Sequence, residues 1–168
     1  MFYALRAALK VFVTNQTYSR KQWSAMRSPL RLIKLASLIH RYIYQCSRGR
    51  IGKRLGKVPF LILTTTGSRS GKERHVPLAA IPYGNDYILV ASFGGSPTQP
   101  AWLNNLRKNP IVHIRFGSSV KQAMASIIET TDNRYRHMWE KAIETYAGFD
   151  KYKKATSRKI PIVLISQE

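Results

Sequence analysis

One segment constrains the fold of this chain more than any other: an apolar, β-branched run that ends in a basic turn. Residues 59–66 read Pro-Phe-Leu-Ile-Leu-Thr-Thr-Thr, and residues 67–72 read Gly-Ser-Arg-Ser-Gly-Lys. Apolar and β-branched residues favour a buried strand, and glycines favour the tight turn that follows it. The chain is therefore expected to build a β-sheet in which this strand is buried and its turn is cationic.

Strand and turn patterns recur after this segment. The predicted strands are 59–66, 73–82, 87–92, 112–116, 122–128 and 160–165. Gly84-Asn85-Asp86 predicts a hairpin, and Gly117-Ser118 joins the fourth strand to the fifth. Helices are predicted over 100–109 and 132–146, the second with Asp132 as its N-cap. These elements predict an α+β, mainly β fold, a mixed β-barrel or sheet with peripheral helices.

The first 57 residues differ from the rest of the chain in charge. They contain 13 Lys and Arg and no carboxylate, whereas residues 58–168 contain 15 Lys and Arg and all eight acids. Amphipathic helices are predicted over 1–13 and from Ser28-Pro29 to about residue 43. Residues 47–57, rich in glycine and basic side chains, predict a linker or wrapping loop. The chain thus divides into a basic helical extension, 1–57, and a compact domain, 58–168.

Several kinds of chemistry are disfavoured by the sequence. The four histidines show no metal-ligand spacing, and no Gly-x-Ser-x-Gly nucleophile elbow is present. A single cysteine, Cys46, excludes an internal disulfide and suits the cytoplasm. Arg6 and Lys10 interrupt the first apolar stretch, so no secretory signal is expected there. No metal site and no spanning helix are predicted.

Three clusters could form a ligand site. In the first, Thr64, Thr65 and Thr66 lead into the turn that carries Arg69, Lys72 and Arg74. Glycine amides, hydroxyls and guanidinium groups together can hold a phosphate. An ordinary hairpin with solvated charges has the same composition, so this cluster alone does not decide the function.

The other two clusters are glycine-rich or aromatic. Residues 92–95 read Ser-Phe-Gly-Gly and precede Trp102, so a flat ligand could approach the glycines and stack on the indole. Tyr146, Phe149 and Tyr152 lie three residues apart, on one side of a short predicted helix, and could shield a pocket from water. Ordinary core packing explains both patterns as well.

Taken together, these segments resemble the deazaflavin (F420)-dependent nitroreductase family, which includes F420H2-dependent quinone reductases. Order and spacing agree over roughly residues 50–166. The matching residues are Pro59 to Lys72 with Arg74 and Pro77, Val90-Ala91-Ser92 with Gly94-Gly95, Pro100-Ala101-Trp102 with Asn105-Leu106 and Asn109-Pro110, Tyr146 to Tyr152, and Arg158-Lys159-Ile160-Pro161. Five segments in register are far more specific than any one of them.

The resemblance implies a split β-barrel related to FMN-binding oxidases, with reduced coenzyme F420 as hydride donor and a quinone or nitroaromatic compound as acceptor. It assigns the coenzyme's phosphodiester and acidic tail to Thr65, Thr66, Arg69, Lys72 and Arg74. It places Ala91, Ser92, Gly94, Pro100, Trp102 and Asn105 beside the deazaflavin ring. It implies that Tyr146, Phe149 and Tyr152 face the acceptor and that the two tyrosines are catalytic. Phe149 and Ser68 depart from the Tyr and the basic residue that relatives often carry.

Two alternatives remain open from the sequence. FMN offers a flat tricyclic ring and a phosphate, as F420 does, so the first alternative is an FMN-binding split-barrel oxidoreductase, or a protein of the same fold that binds flavin without turnover. Nucleic-acid binding is an alternative of another class, because a net charge of +20 attracts phosphate backbones, although no recognised module is present and no specific nucleic acid is expected. Residues 1–57 are expected either to contact an anionic membrane surface from the cytoplasm or to pack on the barrel. The oligomeric state is not predicted.

Overall fold

The computed structural model describes residues 38, 39, 42, 54, 55 and 58–167. Leu38, Ile39 and Tyr42 are helical, within the second helix predicted for the extension. Two predictions lie outside the described residues: the helix over 1–13 and the start of the second helix at Ser28-Pro29. The division of the chain at residue 57 stays a prediction. Among the helices that are described, none is long and apolar enough to cross a membrane.

Most of the described chain forms one curled antiparallel sheet with helices at its periphery. The strands are β1 (Arg54–Leu55), β2 (Val58–Thr66), β3 (Glu73–Ala79), β4 (Ile81–Tyr83), β5 (Asp86–Val90), β6 (Ile111–Phe116), β7 (Ser119–Ile128) and β8 (Ile162–Gln167). The helices after residue 58 are α1 (Ala101–Lys108), α2 (Tyr135–Thr145) and α3 (Gly148–Lys154), and Phe93–Gly95 form a short 3-10 helix. The predicted mainly β architecture is confirmed.

The strand order is β1-β2-β6-β7-β8-β5-β4, with β3 paired to β2 outside this path. The predicted first strand therefore lies between two neighbours. Leu63 pairs with Val76 on β3 and with Ile114 on β6. The last strand, β8, joins β7 to β5, as expected for the strand that completes the sheet.

Two apolar cores stabilise the fold, one on each side of the sheet. The first lies inside the curl, where Leu61 and Leu63 meet Trp102, Leu103 and Leu106 of α1. The second forms where α2 and α3 cover the other side, with Met138 and Trp139 against strand residues such as Ile88 and Ile162. The second core holds α3, and hence the aromatic cluster, against the barrel.

Several predicted elements differ in their bounds, and three of the differences are informative. The strand predicted over 73–82 is divided at Ala80, because the chain leaves its pairing with β2 and begins pairing with β5. Within the predicted loop 47–57, Arg54–Leu55 form a two-residue strand that uses backbone hydrogen-bonding groups near the start of β2. The strand expected to begin at residue 160 begins at Ile162, after Pro161.

The predicted N-cap at Asp132 is wrong. The carboxylate of Asp132 accepts a hydrogen bond from the backbone N–H of Arg134 at 2.9 Å and also binds its guanidinium. These contacts stabilise a turn, because Asp side chains readily bond to the backbone two residues ahead. Helix α2 consequently begins at Tyr135.

Candidate active site

A cavity of about 970 Å³ opens beside β3 and contains residues from all three sequence clusters. Arg69 of the basic turn and Trp102 of α1 both line it, so the two ends of the predicted site share one space. The predicted site residues that line the cavity are Arg69, Arg74, Ser92, Gly94, Pro100, Trp102, Asn105, Tyr146, Phe149 and Tyr152. Their individual roles stay predictions.

Four predicted site residues do not line this cavity: Thr65, Thr66, Lys72 and Ala91. Thr65 and Ala91 are almost fully buried and contribute to the framework instead. The oxygen of the Thr66 side chain accepts a hydrogen bond from Asn109 at 3.4 Å. Lys72 is exposed, beyond the glycine that ends the turn. Of the five residues that the resemblance assigns to the coenzyme's phosphodiester and tail, Arg69 and Arg74 line the cavity.

The backbone N–H groups of the two glycines in the basic turn donate hydrogen bonds within the turn itself. Gly67 N–H donates to Lys72 O at 2.9 Å, and Gly71 N–H donates to Gly67 O at 2.8 Å. The Ser70 hydroxyl accepts from Arg74 at 3.2 Å and lies 3.4 Å from Lys72 N. An anion at this turn would therefore be bound mainly by side chains, and Arg74 is already directed along the cavity wall.

Asn105 connects α1 to the basic turn. Its amide group donates to the Thr65 hydroxyl at 2.9 Å, and its carbonyl oxygen accepts from Ser68 N–H at 2.9 Å. The side chain of Asn105 is buried, so both contacts are made away from bulk water. The resemblance implies that Asn105 borders the deazaflavin ring. The two hydrogen bonds show that Asn105 also holds the turn that carries Arg69.

Lys108 is a residue that the sequence analysis missed. Its ammonium group donates to the carbonyl oxygen of Ser68 at 2.9 Å, from the last turn of α1. Together with Asn105, it ties both peptide groups of Ser68 to one helix. Lysine is common at helix C-termini, so its identity carries no signal for this contact.

The segment Phe93–Gly95, which we call the shelf, borders the cavity between β5 and α1. Phe93, Gly94 and Gly95 have φ values of +47°, +63° and +79°, a left-handed conformation that a residue with a side chain adopts at a cost. A β-carbon at Gly95 would lie 3.0 Å from the Ala155 β-carbon and 3.1 Å from Tyr152 O. Glycine at position 95 therefore allows the shelf to pack directly against the region of α3.

The three aromatic rings form a mutual cluster on the cavity wall. The Tyr146 centroid lies 5.1 Å from that of Phe149 and 6.2 Å from that of Tyr152, and Phe149 and Tyr152 are 6.3 Å apart. The hydroxyl oxygens of Tyr146 and Tyr152 are 3.2 Å apart. Tyr146 precedes α3 and ends α2, so the three rings do not share one helix as predicted, although they share one site.

Burial shapes the chemistry of this cluster. It raises the pKa of Tyr152 far above the ordinary value of a phenol, and the hydrogen bond with Tyr146 adds to the effect. The Tyr152 hydroxyl therefore keeps its proton throughout the neutral range. Such a group can donate a hydrogen bond to an acceptor oxygen but is a weak proton source.

The remaining wall is largely apolar and comes from β2 and β3. Phe60, Leu78 and Ala79 line it, and Leu38 of the extension reaches the same cavity. His75 also lines it and shares a hydrogen bond of 2.9 Å with the Thr64 hydroxyl. A flat, uncharged acceptor is compatible with these surfaces, and so is the exclusion of water from a hydride transfer.

Comparison with known proteins identifies the family. The family model of F420H(2)-dependent quinone reductase matches residues 37–167. The chain belongs to this family. Membership confirms the resemblance inferred from the five segments, and it makes the protein a deazaflavin-dependent reductase that uses coenzyme F420.

One curated relative and two solved structures match large parts of the chain. An F420H(2)-dependent quinone reductase of Mycobacterium tuberculosis (strain ATCC 25618 / H37Rv) is 34% identical over 148 residues, which are 87% of this chain and 97% of the relative. The solved structure of an F420-H2 dependent reductase is 36% identical with a TM-score of 0.58, over 64% of this chain and 94% of that one. A second solved structure, described as a domain-swapped dimer, is 32% identical with a TM-score of 0.60, over 83% and 100% of the two chains. These matches confirm the predicted split-barrel fold class.

The residues that line the cavity fit the coenzyme of this family. They include Arg69 and Arg74, whose guanidinium groups suit the phosphodiester and carboxylates of F420. They also include Gly94 of the shelf and Trp102, which suit a flat ring. The volume lies at the upper end of the range for ligand sites, roughly 300–1,000 Å³, so a ring and a second small molecule can be held together.

Proposed function

We propose that this F420-dependent reductase transfers a hydride to a quinone, and that nitroaromatic compounds serve as further acceptors. The observation that carries the proposal is the single cavity shared by Arg69, Trp102 and the tyrosine pair. F420, when bound, supplies the hydride chemistry, and the protein binds, orients and excludes water. Quinone reduction requires one hydride and one proton, so the second hydrogen enters as a proton from solvent or a protein group.

The residues of the cavity divide between two ligands in this proposal. Arg69 and Arg74 bind the anionic tail of the coenzyme, and Trp102 supports its ring. Tyr152 lines the cavity and carries a protonated hydroxyl, so it is proposed to donate a hydrogen bond to an acceptor oxygen. Tyr146 lies within 3.2 Å of that hydroxyl and completes the polar pair. Phe149 is buried, contacts both tyrosine rings and lines the same cavity, so it is proposed to contact the acceptor.

Residues 1–57 are proposed as a membrane-contacting extension. The support is their charge, 13 Lys and Arg without a carboxylate, and the exposure of Ile39 and Tyr42, which lie three residues apart on a helix. An anionic bilayer attracts basic residues by about 1 kcal/mol each near its surface. Liposome co-sedimentation of the full chain and of a variant without residues 1–27 tests the contribution of the first segment. Equal partitioning of the two proteins contradicts it.

Side-by-side titration of the apo-protein with F420 and FMN tests the proposed activity. Tight binding of F420, weak binding of FMN, and oxidation of reduced F420 on addition of menadione are the expected results. Absence of any absorbance change with several quinones and nitro compounds contradicts the acceptor assignment. Preference for FMN would favour the flavin-binding alternative. Salt-sensitive binding of nucleic acid that persists while the coenzyme site is occupied would favour the nucleic-acid-binding alternative.

A further inference from the structure

Arg158 forms an extensive set of contacts with the shelf that borders the cavity. Its guanidinium donates to Ala91 O at 2.9 Å, to Ser92 O at 2.7 Å and to Ser96 O at 2.9 Å. A longer bond of 3.3 Å goes to Lys159 O. Three carbonyl groups of one short segment are thus held by one side chain that follows them by more than 60 residues in the sequence.

The charge of Arg158 has no carboxylate beside it in the part of the chain that is described. The ion pairs there all involve other cations: His75, Arg107, Arg134, Arg136, Lys141 and Lys154. Burial lowers the pKa of Arg158 from its ordinary value, yet a guanidinium stays protonated in proteins. Arg158 is therefore a positive charge, bound only to backbone dipoles, behind the shelf.

These contacts determine which way the neighbouring amides point. The chain contains no cis peptide bond among the described residues, so each peptide C=O points opposite to the N–H of the same unit. Because the carbonyls of Ala91 and Ser92 point to Arg158, the N–H groups of Ser92 and Phe93 point away from it. Neither N–H has a hydrogen-bond partner among the described residues, and both residues line the cavity.

The backbone conformation of this segment is one that binds anions. Ser92 is right-handed, with φ −73° and ψ −36°, and Phe93 is left-handed, with φ +47°. Such a right-left pair brings successive N–H groups together into a concave site for a negative or electron-rich atom. The left-handed Phe93 is strained, so the conformation needs contacts that hold it, and the Arg158 bonds to the flanking carbonyls are such contacts.

We propose that Arg158 is a positioning residue for coenzyme binding. It orients the peptide groups of Ser92 and Phe93 so that their N–H groups donate to an electron-rich oxygen or nitrogen of the bound ring. Arg158 does not line the cavity and acts only through this segment. The inference rests on the proposed function, because it takes the ring of F420 as the ligand of the shelf.

Two variants and a matched control test the role. Arg158→Met keeps a long side chain and removes the charge and donors, whereas Arg158→Lys keeps the charge. A lysine cannot reproduce the planar fork that binds several carbonyls at once. Arg136→Met is the control, because the side chain of Arg136 is 91% exposed and pairs only with Glu140. Each apo-protein is titrated with F420 by fluorescence, the absorbance spectrum of the bound coenzyme is recorded, and thermal unfolding establishes that each variant is folded.

For Arg158→Met, F420 affinity is expected to fall by about tenfold or more, because the N–H groups of Ser92 and Phe93 are then no longer held in place to donate to the ring, and a lost hydrogen bond has about this effect. The absorbance maximum of the bound coenzyme is expected to shift, because the donors beside the ring are lost. Arg158→Lys should recover part of the affinity, and Arg136→Met should match the parent protein. A merely structural arginine would lower thermal stability without moving the spectrum of the coenzyme that is bound.

Parent affinity and an unshifted spectrum in a folded Arg158→Met variant would overturn the inference. If that variant does not fold, Arg158→Lys decides: binding indistinguishable from the parent overturns the role, and weaker binding with a shifted spectrum supports it. Failure of the parent protein to bind F420 would instead refute the proposed function, and this inference with it. The two failures are therefore distinguished by the first titration alone.

Discussion

Gly148 lies directly against the ring of Tyr146, so that a β-carbon at position 148 would overlap the Cζ, Cε1 and hydroxyl atoms of that ring. The constraint is one of space, since the φ of Gly148 lies outside the left-handed region. Glycine thus allows Tyr146 to fold back over the start of α3 and to reach within 3.2 Å of the Tyr152 hydroxyl. The geometry of the tyrosine pair depends on a residue without a side chain.

Gly148→Ala is therefore expected to displace the Tyr146 ring and to lower kcat while leaving F420 affinity unchanged. The measurement is steady-state reduction of menadione together with a coenzyme titration. Gly84→Ala is the control: its φ of +60° makes alanine strained there, but no atom lies within 4 Å of the added β-carbon. Loss of turnover in both variants alike would point to general destabilisation and contradict the displacement.

Arg69→Ala is expected to weaken F420 binding by about tenfold, because a guanidinium that binds a phosphodiester makes charge-assisted bonds. Lys72→Ala should have a clearly smaller effect, since Lys72 does not line the cavity. Titrations at several salt concentrations separate a direct contact from long-range attraction, which salt screens. Equal losses for the two variants would show that the turn attracts the coenzyme only through its total charge.

The buried contact between Asn105 and Thr65 predicts a coupled loss of stability. Asn105→Leu leaves Ser68 N–H and the Thr65 hydroxyl without their partner, at a cost of about 1–3 kcal/mol for each unsatisfied group. Thr65→Val should lower the free energy of unfolding by less. The loss in the double variant should be about 1 kcal/mol smaller than the sum of the two single losses. Urea unfolding of the four proteins measures the coupling, and strict additivity would contradict a shared hydrogen bond.

Stability is expected to fall as the pH rises above 10, in part because of Tyr135. Its hydroxyl donates to Ile160 O at 2.8 Å, and burial raises its pKa from 10.0 to about 12. Between these values the unfolded phenol loses its proton while the folded one retains it, so the free energy of unfolding decreases with pH. Tyr135→Phe should be less stable at neutral pH and should show a shallower decrease between pH 10 and 12. An unchanged slope in urea unfolding would contradict the assignment.

Local elements of the fold were predictable because their causes are local. The apolar run of β2 and the Gly84-Asn85 turn each specify their structure within a few residues. The start of α2 was misplaced because the Asp132 carboxylate bonds to Arg134 in a turn, a competition that composition alone does not decide. Boundaries of this kind depend on which of two local hydrogen bonds forms.

The residues that line the cavity were predictable in part, and their connections less so. Arg69, Trp102 and Tyr152 were expected together, and they line one cavity. The roles of Asn105 and Arg158 as links were not visible, because their partners lie 37 to 67 residues away in the chain. Long-range polar contacts to the backbone leave no periodic pattern in the sequence, since any residue provides a carbonyl.

Among the described strands, β3 has a sheet partner on one side only, β2, and its residues from Arg74 to Ala79 contribute to the cavity lining. Pro77 is tolerated in such a strand because an edge residue can lack an N–H donor. In the proposed function, replacing Ala79 would change the apolar wall beside the acceptor, on a strand that contains no residue of the Arg69 turn, α1 or the shelf. Substitution at this position could thus change which oxidants the enzyme accepts without altering the residues proposed to bind the hydride carrier.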